Sequence, residues 1–142
     1  MLITTKKIIF FLSFCICCFL FLSFSKPKPK CNTVRNGTFH FYSNTGQAHS
    51  IVVRKDTLQT EINLSTGDTS YWRVNWISDC EFTSSFISSF KQKSKEELDF
   101  YNGSTLKFTI SHVTKDYYTY DAVFTNKNYL RRFSDSMWLH PR

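Results

Sequence analysis

Two carboxylates two residues apart, Asp79 and Glu81, close the stretch Trp72-Arg73-Val74-Asn75-Trp76-Ile77-Ser78-Asp79-Cys80-Glu81-Phe82. On a continuous strand, residues i and i+2 share a face, so this pair could serve as general acid and base. The simpler role is structural: Asp79 satisfies backbone groups of a turn, and Glu81 is a solvated strand residue. No other group of side chains reaches a mechanism. The serines lack a Gly-x-Ser-x-Gly frame, and Ser111 and His112 are merely neighbours. His40, His49, His112 and His140 are scattered without metal-ligand spacing, and too few cysteines accompany them for a zinc site. The expectation is a protein that is not an enzyme, with no catalytic residue, metal or cofactor. A small hydrolase using Asp79 and Glu81 is the alternative.

The aromatic residues admit a binding role. Tyr117, Tyr118 and Tyr120, with Lys115 nearby, form the kind of aromatic-basic patch that stacks bases or sugars. Ordinary cross-strand packing explains the same tyrosines. Arg73 sits beside Trp72 and Trp76, but adjacent strand residues point to opposite faces, so a cation–π partner would have to come from a neighbouring strand.

The amino terminus places the chain in a compartment. Lys6 and Lys7 precede a run from Ile8 to Phe24 that only Ser13 and Ser23 interrupt with polar types. A basic start, an apolar middle and small residues at its end describe a secretory signal over residues 1–25, with Ser23 and Ser25 placed for cleavage after Ser25. The run also touches the lower limit for a spanning helix, which keeps an uncleaved anchor open, with membrane contact confined to residues 8–24. No cysteine lies in a convincing lipidation context. Lys26-Pro27-Lys28-Pro29-Lys30 is a semi-rigid solvated linker, because each proline fixes φ and biases the residue before it to extended geometry.

Of five cysteines, Cys15, Cys17 and Cys18 fall in the leader, where they act as small hydrophobes. Cys31 and Cys80 remain, and in an oxidising compartment a small domain pairs them. A bridge across 49 residues would contribute about 4 kcal/mol in the chain-entropy model. The net charge of +7 falls to +5 without Lys6 and Lys7, an excess that fits solubility and topology better than a dedicated anionic partner.

Residues 31–142 are expected to form one β domain, long enough for one small core. Thr38 to Ser43 alternates with Phe39 and Phe41 on one face; His49 to Arg54 carries Ile51 and Val53 on one side. Leu58, Thr60, Ile62 and Leu64 alternate with Gln59, Glu61 and Asn63, the cleanest period-2 run in the chain. Asn44-Thr45-Gly46 and Ser65-Thr66-Gly67-Asp68 supply turns. The tryptophan stretch is expected to be the heaviest part of the core, followed by a softer strand to Phe86. Ser94-Lys95-Glu96-Glu97 fits a capping box for a short helical turn or two, ended by Asn102-Gly103. Thr105 to His112 places Leu106, Phe108 and Ile110 inward, and Tyr117 to Thr125 places Tyr118, Tyr120, Ala122 and Phe124 together. Tyr129 to Arg142 has weak periodicity and reads as a last strand with a loosely defined tail. These seven or eight strands, without βαβ spacing, predict an all-β antiparallel meander curled into a small lipocalin-like barrel or a compact sandwich. Barrel closure is favoured because it removes exposed edges.

Cys31 with Asn36-Gly37-Thr38-Phe39-His40-Phe41, then Arg54-Lys55-Asp56-Thr57-Leu58-Gln59-Thr60-Glu61, then Val74-Asn75-Trp76-Ile77-Ser78-Asp79-Cys80-Glu81-Phe82, resembles a family of small exported bacterial proteins. Its pattern is a Cys, a Gly-Thr-Phe strand start, an Arg-x-Asp-(Ser/Thr)-Leu-x-x-Glu strand and a Trp-Ile-x-Asp-Cys-Glu-(Tyr/Phe) strand. The likeness spans residues 31–86, with a looser echo from Lys107 to Phe124. It implies an exported β domain and supplies no mechanism. Some members carry a topoisomerase IV label. This chain is too short for a strand-passing enzyme and lacks a phosphate-binding glycine loop, so no nucleic-acid partner is expected.

The expected function is an exported cell-envelope barrel, periplasmic, surface-located or secreted, that binds a small apolar ligand or an envelope protein. Phe39, Phe41, Trp72, Trp76, Phe108 and Tyr120 would line its interior; an eight-stranded barrel holds either a packed core or one small ligand. A membrane-tethered structural protein with no small-molecule site is the third possibility.

Overall fold

The structure, a computed structural model, describes residues 30–43, 49–127 and 129–142. The leader expected over 1–25, the linker up to Pro29 and the Asn44-Thr45-Gly46 turn lie outside the described residues. Eight antiparallel strands follow one another around a closed barrel, each bonded to its neighbour in sequence. They are β1 (Gly37–Tyr42), β2 (His49–Lys55), β3 (Leu58–Asn63), β4 (Asp68–Trp76), β5 (Glu81–Ser89), β6 (Ser104–Val113), β7 (Tyr117–Asn126) and β8 (Tyr129–Trp138). A 3-10 turn, Cys31–Val34, precedes β1, and helix α1 (Lys95–Asn102) lies between β5 and β6. The expected barrel is therefore the architecture present. Closure is narrow: β1 meets β8 at the single register pair His40↔Trp138.

Several local signals hold. Ser94 and Glu97 form the capping box, their side chains each bonding the other's backbone N–H, at 3.2 and 2.8 Å. Gly67 takes φ +68° in the β3–β4 turn, a conformation that glycine adopts without steric cost. The end of the chain is more regular than its periodicity suggested, because β8 pairs with β7 continuously from Tyr129↔Asn126 to Trp138↔Tyr117.

The faces of β2 and β3 are reversed from what apolar patterning suggests. Ser50, Val52 and Arg54 are buried, whereas Val53 is 39% exposed. On β3, Gln59 is buried at 6% exposure while Leu58 and Leu64 are 44% and 50% exposed. Arg54 and Gln59 turn inward because, directly opposite in the β2–β3 register, they bond each other inside the barrel.

Arg54 organises the closed end. Its Nε–H and Nη2–H donate to Gln59 Oε1 at 3.0 and 2.9 Å, Nη1–H donates to the Val34 carbonyl at 3.3 Å, and Nη2–H also reaches the Tyr118 hydroxyl at 3.3 Å. The guanidinium lies 4.5 Å from the Phe82 ring centroid and 5.2 Å from that of Phe39. Among the described residues no carboxylate pairs with it. An arginine stays charged at any physiological pH, so ring faces and fixed acceptors carry the whole of its desolvation. Burial pushes the Tyr118 hydroxyl upward in pKa, and the neighbouring Arg54 opposes that shift.

The 3-10 turn caps this floor. Cys31 and Val34 are each 1% exposed, and Cys31 is bonded to Cys80 in the β4–β5 turn. Arg35 reinforces the staple, lying 4.8 Å over Trp76 and pairing with Asp79 at 3.0 Å.

Arg54→Ala should lower unfolding stability by about 3–5 kcal/mol, since it strands Gln59, Tyr118 and the Val34 carbonyl in a dry interior. Arg54→Lys should recover only part of this, because an ammonium cannot reproduce the fork. Denaturant titration with the disulfide intact measures both; a loss under 1 kcal/mol for the alanine variant would contradict this role for Arg54.

Candidate functional site: the open end of the barrel

The barrel's two ends differ sharply. Near the floor the space lined by Arg54, Gln59, Phe82, Phe108, Tyr118, Tyr120 and Met137 is about 10 Å³, too small for any ligand. At the opposite end, where β3, β4 and β5 meet α1, a recess of about 290 Å³ opens, at the small end of the range for ligand sites. Glu61, Asn63, Ser70, Trp72, Phe86 and Tyr101 contribute to its lining, with Thr66, Asp68 and Lys93 at the rim.

The chain builds one wall from three rings. Trp72 faces Phe86 across the β4–β5 register, edge to face at 5.4 Å. Tyr101 from α1 stacks on Phe86 at 4.9 Å and meets Trp72 edge-on at 5.9 Å. The indole N–H of Trp72 donates to Ser70 Oγ at 2.9 Å, so its polar edge is satisfied. Helix α1 is held over the mouth from both ends. Lys93, just before it, pairs with Asp68 at 2.9 Å. In its last turn, the Phe100 carbonyl accepts Asn126 Nδ2–H at 2.7 Å, and the Phe100 ring stacks on Phe124 at 5.2 Å. The hydrogen bond between Lys93 and Asp68 lowers the Asp68 pKa and raises that of Lys93, so both stay charged and mutually neutralised.

Glu61 stands apart from these satisfied groups. It points inward between its cross-strand neighbours Val52 and Ser70. Its carboxylate has no hydrogen-bond or ion-pair partner among the described residues, and desolvation alone raises its pKa. The charged and titratable groups around it come from several strands. Tyr120 and Asp135 are register partners on β7 and β8, Arg54 lies below, and Asp68 with Lys93 occupies the rim. Burial first, then Asp135, Tyr118 and Glu61, drive the Tyr120 hydroxyl strongly upward in pKa, so it is a neutral donor at any ordinary pH.

The residues expected to line a ligand site separate. Phe39 and Tyr120 are buried, and Phe41, Trp76 and Phe108 pack against the buried cluster; Trp72 alone of the six borders the recess. Phe82 and Phe108 stack at 4.7 Å, and Phe108 meets Tyr120 edge-on at 5.4 Å, which is how aromatic residues fill the lower barrel. Asp79 and Glu81 form no shared cleft: Asp79 pairs with Arg35, while Glu81 pairs with Lys107 at 3.2 Å and accepts from Thr109. Cation–π contact with Trp76 comes from Arg35 and Arg54 rather than from Arg73, which is exposed. Sequence reading missed Phe86, Tyr101 and Glu61 as site residues. Their signal was present in the i, i+2 relation of Glu61 to Gln59, but it required knowing which face was inside. Among the described residues no group of three or more His, Cys, Asp or Glu is arranged to hold a metal, and no helix is long and apolar enough to cross a membrane.

Comparison with family models, with curated proteins and with solved structures found no match for this chain.

A carboxyl whose pKa is raised on folding binds a proton more tightly in the native state, so it lowers stability as pH rises above the ordinary glutamate value. Glu61→Gln should therefore raise the thermal midpoint at pH 7, and the gain should vanish as pH falls below about 4.5. Calorimetry across this window checks it; no gain at pH 7, or a gain that grows on acidification, would contradict the site's description.

Proposed function

We propose that this chain is an exported cell-envelope β-barrel that binds a small molecule at its open end, in the recess of Glu61, Trp72, Phe86 and Tyr101, without chemically transforming it. The observation that carries this reading is the contrast between the two ends. The floor leaves only about 10 Å³ beside Arg54, while the mouth keeps a recess in which rings and one unpartnered carboxylate converge. Export is supported by the Cys31–Cys80 disulfide, a bond that persists in oxidising compartments. It is also supported by the basic-then-apolar leader and by the resemblance to exported bacterial domains. A non-catalytic role is favoured because Asp79 and Glu81 are each engaged in separate surface ion pairs.

A second reading, docking of an envelope protein, draws on the outer wall. The reversal of β2 and β3 leaves Val53, Leu58 and Leu64 facing solvent, and Ile87 and Phe90 are 46% and 80% exposed near the mouth.

Native mass spectrometry of the protein isolated from the cells that make it tests the leading reading. The expected spectrum contains a noncovalent adduct that is lost in Trp72→Ala, while the variant keeps its circular dichroism and melting cooperativity. Repeatedly empty spectra, together with no change in the NMR signals of Trp72 or Tyr101 on adding a small-molecule extract of those cells, would overturn it.

A further inference from the structure

We propose that the recess accepts a small organic cation, an alkyl- or arylammonium group, with Glu61 as its counter-charge and the Trp72–Phe86–Tyr101 cluster as its apolar wall. This rests on the open end being the binding site, and it names the class of ligand that the site selects.

Most polar groups at the recess already have partners. Asp68 is bonded to Lys93 at 2.9 Å and accepts the Lys91 backbone N–H at 3.0 Å. Asn63 Oδ1 accepts the backbone N–H groups of Ser65 and Thr66, both at 3.0 Å. Ser70 Oγ accepts the Trp72 indole N–H at 2.9 Å. Glu61 remains: an inward carboxylate with no partner among the described residues. Glu61 is half-buried, and its partly desolvated carboxylate lacks a protein donor, so a ligand that supplies one is favoured there.

Which ligand compensates it follows from charge. Among the lining residues the Asp68–Lys93 pair sums to zero and Glu61 leaves a formal charge of −1; the other cation at the rim, the Lys91 ammonium, is held outside the lining by its bond to the Thr66 carbonyl. Asp135, the register partner of inward Tyr120 on β8, adds a second carboxylate to the interior without lining the recess. The nearest interior cation, Arg54, is 2% exposed and spends its donors on Gln59, Val34 and Tyr118. An anionic ligand would meet this field unfavourably. A neutral hydroxyl would satisfy hydrogen bonding and leave the charge uncompensated. An ammonium does both, through a charge-assisted bond and through attraction to the electron-rich ring faces. Trp72, Phe86 and Tyr101 are also the three rings of the lining, so the apolar body of such a cation has a wall to pack on.

Benzylamine, protonated at pH 7, can be titrated into the folded, disulfide-intact protein beside two neutral or anionic molecules of the same outline, benzyl alcohol and benzoate. Heteronuclear NMR would read the shifts of Glu61, Trp72 and Tyr101. The expected result is recess shifts with benzylamine, binding at least about tenfold tighter than benzyl alcohol, and none with benzoate. Glu61→Gln should bring the amine and the alcohol to near-equal affinity. Should that variant not fold, added salt serves instead: it should weaken the amine and leave the alcohol unchanged. Equal binding of amine and alcohol, binding of benzoate, or the absence of amine shifts at tens of millimolar would overturn the inference. A ligand recovered from the cells that occupies the recess without a positive charge would also overturn it while leaving the binding function standing. No ligand of any charge in the recess would remove both.

Discussion

A single buried guanidinium fixes the geometry of this barrel. Arg54 is 2% exposed, has no carboxylate partner among the described residues, and is held by Gln59, Tyr118, the Val34 carbonyl and the rings of Phe39 and Phe82. These contacts come from β1, β3, β5, β7 and the 3-10 turn, so one side chain on β2 ties together most of the floor. Removing an unpaired cation from water is expensive, and the environment offsets that cost only when all of these contacts are in place. The interaction therefore specifies the fold more than it stabilises it: an alternative register would leave the charge stranded.

That constraint propagates upward along β3. Side chains of a strand alternate faces with a period of two, so a slip of one residue would turn the whole set over. Placing Arg54 and Gln59 inside commits Glu61 and Asn63 to the inner face as well, and it expels Leu58 and Leu64 to solvent. The carboxylate at the mouth is thus a consequence of the cation in the floor. The aromatic wall beside it follows in part from the same constraint, since Trp72 is the register partner of Gln59, and in part from β5 and α1, the latter held by its capping box and by the Lys93–Asp68 pair. Function and stability pull apart at Glu61, since the same desolvation that makes it a receptor for a cation makes it a burden on the empty fold.

Much of the fold was legible from residue order, and the reasons are local. Gly67 and the Ser94–Glu97 box mark boundaries through backbone chemistry that operates over three or four residues. The Cys31–Cys80 bridge followed from compartment and cysteine count. Alternation in Leu58 to Leu64 located a strand correctly but did not reveal which face was interior. Hydrophobicity favours burying Leu58 and Ile62, and only the nonlocal bonds of Arg54 to Val34 and Tyr118 overrule it. The candidate site was hidden for the same reason. Phe39, Trp76, Phe108 and Tyr120 have the composition of a ligand cavity, yet they pack on one another, and the recess draws instead on Tyr101 from a short helix whose docking no periodicity encodes. Asp79 and Glu81, which looked most like chemistry, are separated by the β4–β5 turn and its ion pairs.

The inward orientation of the polar face of β2 and β3 is the claim on which the floor, the recess and its charge all stand. Val52 and Val53 test it directly, being adjacent, chemically identical and assigned to opposite faces, at 1% and 39% exposure. Val52→Cys and Val53→Cys can each be reacted with a water-soluble maleimide in the folded, disulfide-intact protein. Rapid labelling is expected at position 53, with protection at position 52 until the protein unfolds. Rapid labelling at 52 with protection at 53 would place Arg54 and Glu61 outside and contradict it.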